Sequence, residues 1–347
     1  MFKYVLKRLG LAVISIFLIL SLTFILMKLL PFEKPVVITD GERFTFYNTQ
    51  AALGYVIDSK RLYPAYGELL WQYKDALNVK HYFYQAPVMD QYFSWIKGII
   101  TEWNWGLSTH VQANVGAIYI IGERLPVSIS LNILSVIISV PLGIVLGIIA
   151  ALKKNKATDH IISTGVMVMI SIPSFVLIVL LIYIFGHTLG WLPTQWPTGS
   201  DIESKEKILA YVIPVAALSF GSICGYARFT RAELCEVMSS DYLLLAVTKG
   251  LTKRQAILRH ALRNAMVPII PSILAEFIGI LGGSMILENL YGINGIGSLF
   301  MDALNKKDYN VLFVDMAIFT SIGLIAGVVL DISYGFIDPR IKMGAKK

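Results

Sequence analysis

The sequence contains few charged residues, and this shortage separates it from soluble proteins. Asp, Glu, Lys and Arg together make up 15% of the 347 residues, whereas hydrophobic residues make up 56%. A soluble domain typically carries about 25% charged residues. Because hydrophobic runs long enough to cross a bilayer recur along the chain, the composition predicts a polytopic, all-α membrane protein. The net charge of +7 is spread beside these runs, which argues against nucleic-acid binding.

The chain also lacks the short motifs of common enzyme classes. It contains no G-x-x-x-x-G-K-[ST] phosphate loop, H-E-x-x-H, C-x-x-C or G-x-S-x-G pattern, and its five histidines are scattered. We therefore predict no catalytic residues, no metal site and no cofactor bound by this chain. The two cysteines, Cys224 and Cys235, lie in or beside one predicted span, so a disulfide framework is not expected.

Six hydrophobic runs are predicted to cross the membrane, with both chain ends in the cytoplasm. The basic start MFKYVLKR precedes an apolar run too long for a signal peptide, so this run is interpreted as an uncleaved span. Loops rich in Lys and Arg alternate with loops poor in them, as the positive-inside rule expects. A kink is predicted at residues 171–174 (SIPS). The predicted spans are residues 9–30, 127–152, 161–185, 208–227, 268–287 and 311–336.

The one long polar segment, residues 31–123, is predicted to lie outside the cell. Its residues 68–79 are predicted to form a short amphipathic helix. Residues 93–106 are predicted to form an interfacial helix that places Trp95, Trp103 and Trp105 at headgroup depth. A small self-folding domain is the alternative, although the segment has few strands rich in Val and Ile.

A polar island at residues 241–268 follows the fourth predicted span. Its pattern predicts two short helices separated by Gly250, a residue that tolerates a positive φ. Ser240 is predicted to cap the first helix. Thr252 and Gln255 have the spacing of a capping box for the second helix.

The second helix of the island carries Arg259 and Arg263 at positions i and i+4. Like charges at this spacing repel by ~0.2–0.5 kcal/mol, so we expect an acid elsewhere in the chain or on a partner to balance them. The alternative is a positive-inside loop that only fixes topology. Pro268 is predicted to mark the turn into the fifth span.

This helix–glycine–helix layout resembles the cytoplasmic EAA loop of ABC-importer permeases, which docks onto an ATPase subunit. The family glycine matches Gly250, and the signature that follows matches residues 259–264 (RHALRN). The leading Glu-Ala-Ala of the family is not literal here, and Arg263 replaces a proline found in many members. The resemblance assigns ATPase coupling to Asp241, Tyr242, Ala246, Gly250, Leu251, Arg259, His260, Arg263 and Asn264.

Two further motifs resemble the oligopeptide/dipeptide branch of this family. Residues 288–297 (ENLYGINGIG) are similar to an external Glu-Thr-x-Phe-x-x-Pro-Gly-x-Gly element, and residues 336–341 (FIDPRI) resemble a Leu-Asp-Pro-Arg ending. The resemblance is to the first, B-type permease subunit, and it does not extend to residues 36–89, to which we assign no function. It implies an external gate or binding-protein contact at Glu288, Gly292, Gly295 and Gly297.

The resemblance therefore implies a type I ABC-importer permease in a bacterial plasma membrane, carrying oligopeptides or dipeptides inward. Its expected partners are a second homologous permease subunit, two ATPase subunits that hold ATP and Mg, and an extracellular substrate-binding protein. The expected regions are residues 1–30 (leader and first span), 31–123 (external) and 124–347 (five-span core, with the coupling loop at 228–267).

Two acids lie inside predicted spans, where a charge costs at least ~2.5–3.5 kcal/mol. Glu276 and Asp315 are hypothesised to line the translocation pathway and to favour substrates with a free amino group. Alternatively, Glu276 is neutral or hydrogen-bonded to a neighbouring helix. The alternative function is an ion- or proton-coupled secondary transporter that uses both acids, although no inverted repeat is evident. A membrane scaffold is a third possibility. Asp331 is interpreted as structural.

Overall fold

The computed structural model describes residues 2–30, 39–62, 67–75, 78–199, 203–279 and 284–337. These residues are mostly helical, with one small sheet. Two π-helical turns, Ile182–Thr188 and Ile257–Ala261, follow α6 and α9. The helices are α1 (Phe2–Lys28), α2 (Asp40–Ala52), α3 (Val88–Glu102), α4 (Ala117–Leu152), α5 (Ala157–Ile170), α6 (Ser174–Leu181), α7 (Ser204–Met238), α8 (Asp241–Thr248), α9 (Lys253–Ala256), α10 (Leu262–Gly279), α11 (Met285–Tyr291), α12 (Ile296–Asn305) and α13 (Tyr309–Ile337).

Among the described residues, four helices are long and apolar enough to cross a membrane, or five if one bent pair forms a single span. The four lie in α1, α4, α7 and α13 and match the first, second, fourth and sixth predicted spans. The bent pair, α5 and α6, matches the third. The predicted fifth span begins within α10, which ends at Gly279, and residues 280–283 lie outside the described residues. The predicted count of six is therefore not confirmed.

The bend between α5 and α6 lies where the sequence predicts a kink. The two helices meet at 97° across the break at residues 171–173. Pro173 cannot donate a backbone hydrogen bond, so the α-helical ladder stops before it. The Ser171 hydroxyl donates to the Met167 carbonyl oxygen (2.9 Å). A serine thus satisfies a backbone acceptor at the end of the first helix, as predicted.

The chain divides into two compact units, of which the first comprises Met1–Leu9, Leu125–Ser298 and Ile322–Lys347. In this unit α5, α6 and α10 pack along α7. The helix α4 approaches the backbone of α7 at Gly147, where an added Cβ would lie 2.6 Å from the Ala227 carbonyl oxygen. Small residues permit this close helix approach. One core of the unit contains Leu131, Ile178, Ile213, Val215, Ala217, Leu287, Tyr291 and Ile293.

The second unit comprises Gly10–Arg124 and Leu299–Ser321 and contains an antiparallel sheet. Its strands are β1 (Val56–Ser59), β2 (Leu69–Lys74) and β3 (Lys80–Gln85), in the order β1-β3-β2, with Val56 opposite Gln85 and Leu69 opposite Tyr84. The helix predicted for residues 68–79 is therefore wrong, because that segment contains β2. The all-α description holds for the predicted spans and not for this part of the external segment.

Aromatic side chains explain why this segment forms a sheet. Trp71 of β2 and Phe83 of β3 stack with their ring centroids 5.8 Å apart. Tyr47 of α2 stacks on both rings, at 5.4 and 5.1 Å. Aromatic residues favour strands as Val and Ile do, so the lack of Val and Ile was a poor guide here.

The interfacial helix predicted for residues 93–106 corresponds to α3. It ends at Glu102, and the next residue, Trp103, has a side chain that is 66% exposed, in agreement with a position at an interface. Trp95 differs from the prediction because its side chain is only 6% exposed. Its ring packs 4.7 Å from that of Phe24 and 5.2 Å from that of Phe313, measured between centroids. Trp95 is therefore a core residue of the second unit.

Candidate functional site

The first helix of the polar island, α8, is fixed to the first unit by one buried side chain. Leu243 packs in a core that includes Leu234 and Cys235. Ser240 occupies the N-cap position, as predicted, with an extended backbone. Its hydroxyl donates to the Val237 carbonyl oxygen (2.6 Å) and makes no capping bond, because it bonds the end of the preceding helix.

The turn after α8 requires a glycine because of its backbone conformation. Space for a side chain is not the reason. Gly250 has φ +97°, and an added Cβ would have no heavy atom within 4 Å. Thr252 and Gln255 form the predicted capping box. The Gln255 amide donates to the Thr252 hydroxyl (3.3 Å), and the Thr252 amide donates to the Gln255 side-chain oxygen (3.1 Å). Both local predictions for this turn are confirmed.

The second helix of the island continues directly into the bundle. The short helix α9 passes through the π turn Ile257–Ala261 into α10, and Pro268 lies inside α10. The predicted turn at Pro268 is therefore wrong. Proline has a helical φ, and a helix packed against neighbours tolerates the loss of one backbone hydrogen bond. The backbone is therefore helical without a break from α9 through the π turn to α10.

The island exposes apolar and basic side chains together, on a region that we call the loop surface. Its apolar members are Tyr242, Leu244 and Leu245, with exposed fractions of 43%, 65% and 54%. Ala246 and Leu251 are half-buried against the core that holds Leu243, so they support the surface from beneath. The loop surface comprises the exposed residues Asp241, Tyr242, Leu244, Leu245, Gly250, Arg259, His260, Arg263 and Asn264.

The two arginines of the loop surface lack an acidic neighbour within the described part of the chain. None of the ion pairs recorded there includes Arg259 or Arg263. Both side chains are exposed. The sequence left open whether the balancing acid lies elsewhere in the chain or on a partner. The described residues of the chain do not supply it.

The outer turn, residues 284–298, is organised around a buried carboxylate. Glu288 is 2% exposed, and its Oε1 accepts hydrogen bonds from the Ser128 hydroxyl (2.8 Å) and the Ser284 amide (3.2 Å). Its Oε2 accepts from the Ser298 amide (3.1 Å). The Ser128 hydroxyl oxygen also accepts a bond from the Ile296 amide (2.9 Å). The carboxylate thus ties both ends of the turn to α4.

The glycines of the outer turn have different roles. At Gly295 an added Cβ would overlap the Glu288 carboxylate and the Ser128 hydroxyl, and at Gly297 it would lie 2.7 Å from the Met285 amide. Gly292 is exposed and has φ +71°. Glu288, Gly295 and Gly297 are buried, and the gate or binding-protein contact predicted for them stays a prediction. The predicted contact at Gly292 stays a prediction.

Tyr291 holds the outer turn against the segment after α6. Its hydroxyl donates to the Pro193 carbonyl oxygen (2.8 Å), and its carbonyl oxygen accepts from the Trp196 amide (2.8 Å). Burial raises the pKa of Tyr291 to about 12, so the hydroxyl stays protonated and available as a donor at neutral pH.

The acids predicted for the translocation pathway lie in different units. Glu276 of α10 is half-buried and interacts with Tyr226 of α7, which also contacts Ser272. Asp315 is fully buried in α13. The contacts of Glu276 agree with a side chain bonded to a neighbouring helix, which was the alternative to a pathway role. Asp331 pairs with Arg8 (3.0 Å), in agreement with a structural role.

Two buried aspartates that join separate segments of the chain by hydrogen bonds were not predicted from the sequence. Asp159 receives two hydrogen bonds from the Arg231 guanidinium (2.5 and 2.8 Å), which join the start of α5 to α7. Asp308 accepts hydrogen bonds from the Ser108 hydroxyl and from the backbone amides of residues 109–111, at 2.6–2.9 Å. Asp308 directly precedes α13. An aspartate at the start of a helix is a capping signal, and this signal could have identified Asp308 from the sequence.

The fold and these sites define a helical membrane protein whose exposed loop surface is joined to its spans by a continuous helix. A family model described as "Binding-protein-dependent transport system inner membrane component" matches residues 143–343. The chain belongs to this family.

Curated relatives match over their full length. The chain is 32% identical over 345 residues to a dipeptide transport system permease protein, DppB, of Lactococcus lactis subsp. cremoris, covering 99% of this chain and 100% of the relative. It is 30% identical over 343 residues to an oligopeptide transport system permease protein, OppB, of Haemophilus influenzae, again covering 99% and 100%. The family and these relatives favour the importer permease over the secondary transporter.

A solved structure supports the fold. An inward-facing MetNI methionine ABC transporter gives a TM-score of 0.51 at 15% sequence identity, covering 64% of this chain and 97% of that one. The similarity extends over most of a permease chain and shows the shared fold.

Proposed function

We propose that this chain is one of two permease subunits of an ATP-driven importer that carries oligopeptides or dipeptides into a bacterial cell. The observation that carries the proposal is the loop surface. Its exposed leucines, and its arginines without an acidic partner among the described residues, accompany the positive-φ turn at Gly250. The full-length similarity to dipeptide and oligopeptide permeases supports the substrate class.

Coupling follows from the way the loop surface is attached. Leu243 seats α8 in the inner core, and α9 continues through the π turn into α10. When ATPase subunits close on ATP and Mg, the loop surface is pulled and α10 moves with it. The proposed partners are two such ATPases, a second homologous permease and an extracellular substrate-binding protein. Both termini of this chain then face the cytoplasm.

The charges of the loop surface specify the chemistry of the ATPase side. Arg259 and Arg263 require an acidic counterpart, and the described residues of this chain do not provide it. An acidic cleft on the ATPase, with apolar contacts for Leu244 and Leu245, complements the surface. The sequence has no phosphate loop, so ATP hydrolysis is assigned to those subunits.

The pathway proposal concerns Glu276 and Asp315, which add negative potential along the route of the substrate. Glu276→Gln removes one charge with little change of shape. We expect uptake of cationic peptides to fall severalfold relative to that of neutral peptides, because the attraction to a free amino group weakens. Uptake assays that compare the two peptide classes provide the internal control. If the ratio of cationic to neutral peptide uptake were the same in Glu276→Gln as in wild type, Glu276 would be removed from the pathway.

The function itself is tested by reconstitution. The tagged chain is purified in mild detergent with its co-expressed subunits and placed in liposomes that contain ATP. We expect uptake of labelled dipeptides or oligopeptides that requires ATP and the external binding protein. Uptake driven by a proton gradient in the absence of ATPase subunits would instead support the secondary transporter.

A further inference from the structure

A polar cleft at the C-terminal end of α1 takes no part in the function proposed above. Its wider part is lined by Lys28 and Lys307 and by the amide side chains of Gln50, Gln91 and Asn310. A narrower extension shares Lys28 and Asn310 and is lined further by Tyr55, Trp95 and Trp105. All of these residues belong to the second unit.

One of the two lysines that line this cleft, Lys28, has aromatic neighbours and no acidic partner among the described residues. The Lys28 ammonium lies 3.9 Å from the Tyr55 ring centroid and 5.6 Å from that of Phe24. Among the described residues, neither part of the cleft is lined by Asp or Glu, and no ion pair includes Lys28. Aromatic faces stabilise an ammonium group in part, and they leave its positive charge uncompensated.

Two indole groups beside Lys28 lack hydrogen-bond acceptors. The Nε1 atoms of Trp95 and Trp105 are buried without a partner among the described residues, and the Trp95 side chain is more than nine-tenths buried. An indole N–H only donates, and buried donors in folded proteins nearly always have an acceptor. A cation and two unused donors, without an acid, fit a ligand group that is anionic and only accepts hydrogen bonds.

A stripe of exposed leucines on α1 indicates that the ligand is amphiphilic. Leu18, Leu22, Leu26 and Leu29 follow a spacing of four, four and three residues, which places them on one helical face. Each of these side chains is more than half exposed. The stripe ends next to Lys28, where the cleft begins. A phosphate group with attached acyl chains satisfies both features.

We propose that this cleft binds the phosphate headgroup of an anionic phospholipid, with the acyl chains lying along the leucine stripe of α1. The phosphate oxygens accept bonds from Lys28 and the two indoles. Basic side chains beside a span recognise anionic lipid in this way. The proposal concerns lipid bound to the second unit and is independent of the transported substrate.

The experiment uses the full chain with its co-expressed subunits in nanodiscs that contain equal amounts of phosphatidylglycerol and phosphatidylcholine. The complex is released from the nanodiscs, and native mass spectrometry then counts the lipids that stay bound to it. We expect wild type to retain phosphatidylglycerol preferentially, and Lys28→Met to retain about fivefold less of it. Lys97→Met, at an exposed lysine on α3, is the matched control and is expected to behave as wild type.

Two further variants keep the test valid if Lys28→Met folds poorly. Trp105→Phe removes one N–H while the ring and Lys28 remain, and we expect a smaller loss of phosphatidylglycerol. Lys28→Arg keeps the charge and is expected to retain the lipid. Equal retention of the two lipids by wild type would overturn the proposal, as would unchanged retention in a folded Lys28→Met. Displacement of the lipid by inorganic phosphate would identify a free-anion site and would also overturn it.

Discussion

Two glycine-containing turns, the island at residues 241–264 and the outer turn at residues 284–298, look alike in sequence and differ in burial. Each combines glycines with polar residues between hydrophobic runs, and each was predicted to contact a partner. The island leaves its arginines and three of its leucines exposed, whereas the outer turn buries Glu288 against its own backbone.

The difference shows how a polar group next to a membrane span is used. Where the side chain satisfies backbone donors of its own chain, as Glu288 does, it braces a turn and its removal affects folding. Where it stays exposed without an acidic partner among the described residues, as Arg259 does, we expect its removal to affect assembly with another subunit. The following variants test this distinction, from the largest expected effect to the smallest.

The largest effect is expected for Glu288→Leu, which removes the acceptor of three hydrogen bonds. Each buried donor left unsatisfied costs ~1–3 kcal/mol, so we expect the folded state to lose at least about 3 kcal/mol. Thermal unfolding in detergent and the level of protein in the membrane measure this loss. Glu206→Leu, at an exposed acid of α7, is the control. A stability equal to wild type would show that Glu288 does not brace the turn.

Gly250→Val is expected to reduce ATP-driven uptake about tenfold and to leave membrane insertion intact. A β-branched residue at φ +97° is strained by ~1–3 kcal/mol, and an added side chain meets no neighbour, so the effect acts through the backbone of the turn. Gly250→Asn, which tolerates a positive φ better, is expected to retain most activity. The uptake assay in liposomes measures both variants.

The matched control for Gly250→Val is Gly190→Val, because Gly190 also has a positive φ (+64°) and open space around it. The control also places a β-branched residue at a positive φ, and it lies outside the loop surface. If both variants lost uptake equally, the loss would reflect backbone strain in general. Coupling would then not depend on the Gly250 turn in particular.

The smallest of the three effects is expected for Arg259→Glu, which should lower co-purification of the ATPase subunits severalfold. The substitution places a negative charge where an acidic partner surface is proposed, and the exposed position makes the effect dependent on ionic strength. Pull-downs at low and high salt measure it. Lys153→Glu, at an exposed lysine directly after α4 and outside the loop surface, is the control. Unchanged co-purification at low salt would argue against a contact at Arg259.

The features predicted correctly from sequence depend on residues close together in the chain. The capping box at Thr252 and the positive φ at Gly250 are local, because the side chains and backbone involved lie within four residues of each other. The bend at Pro173 is local for the same reason. Hydrophobic runs likewise identified the long spans, and the relatives confirmed the family indicated by the loop motif.

The features that were missed depend on pairs far apart in the chain. Ser128 and Glu288 are separated by 160 positions, and Ser108 and Asp308 by 200. A buried serine in an apolar run looks like any small residue until its partner is known. The sheet was missed because its stability comes from rings contributed by α2, β2 and β3 together.

Site-specific photo-crosslinking provides the most direct test of the central claim, that the loop surface contacts the ATPase subunits. A photoreactive amino acid is placed at Leu244 on the loop surface or at Leu290 in the outer turn, both of which are exposed. We predict that position 244 crosslinks to a subunit containing a phosphate loop and that position 290 does not. Crosslinking of that subunit from position 290, or its absence at position 244 in the intact complex, would contradict the proposed coupling.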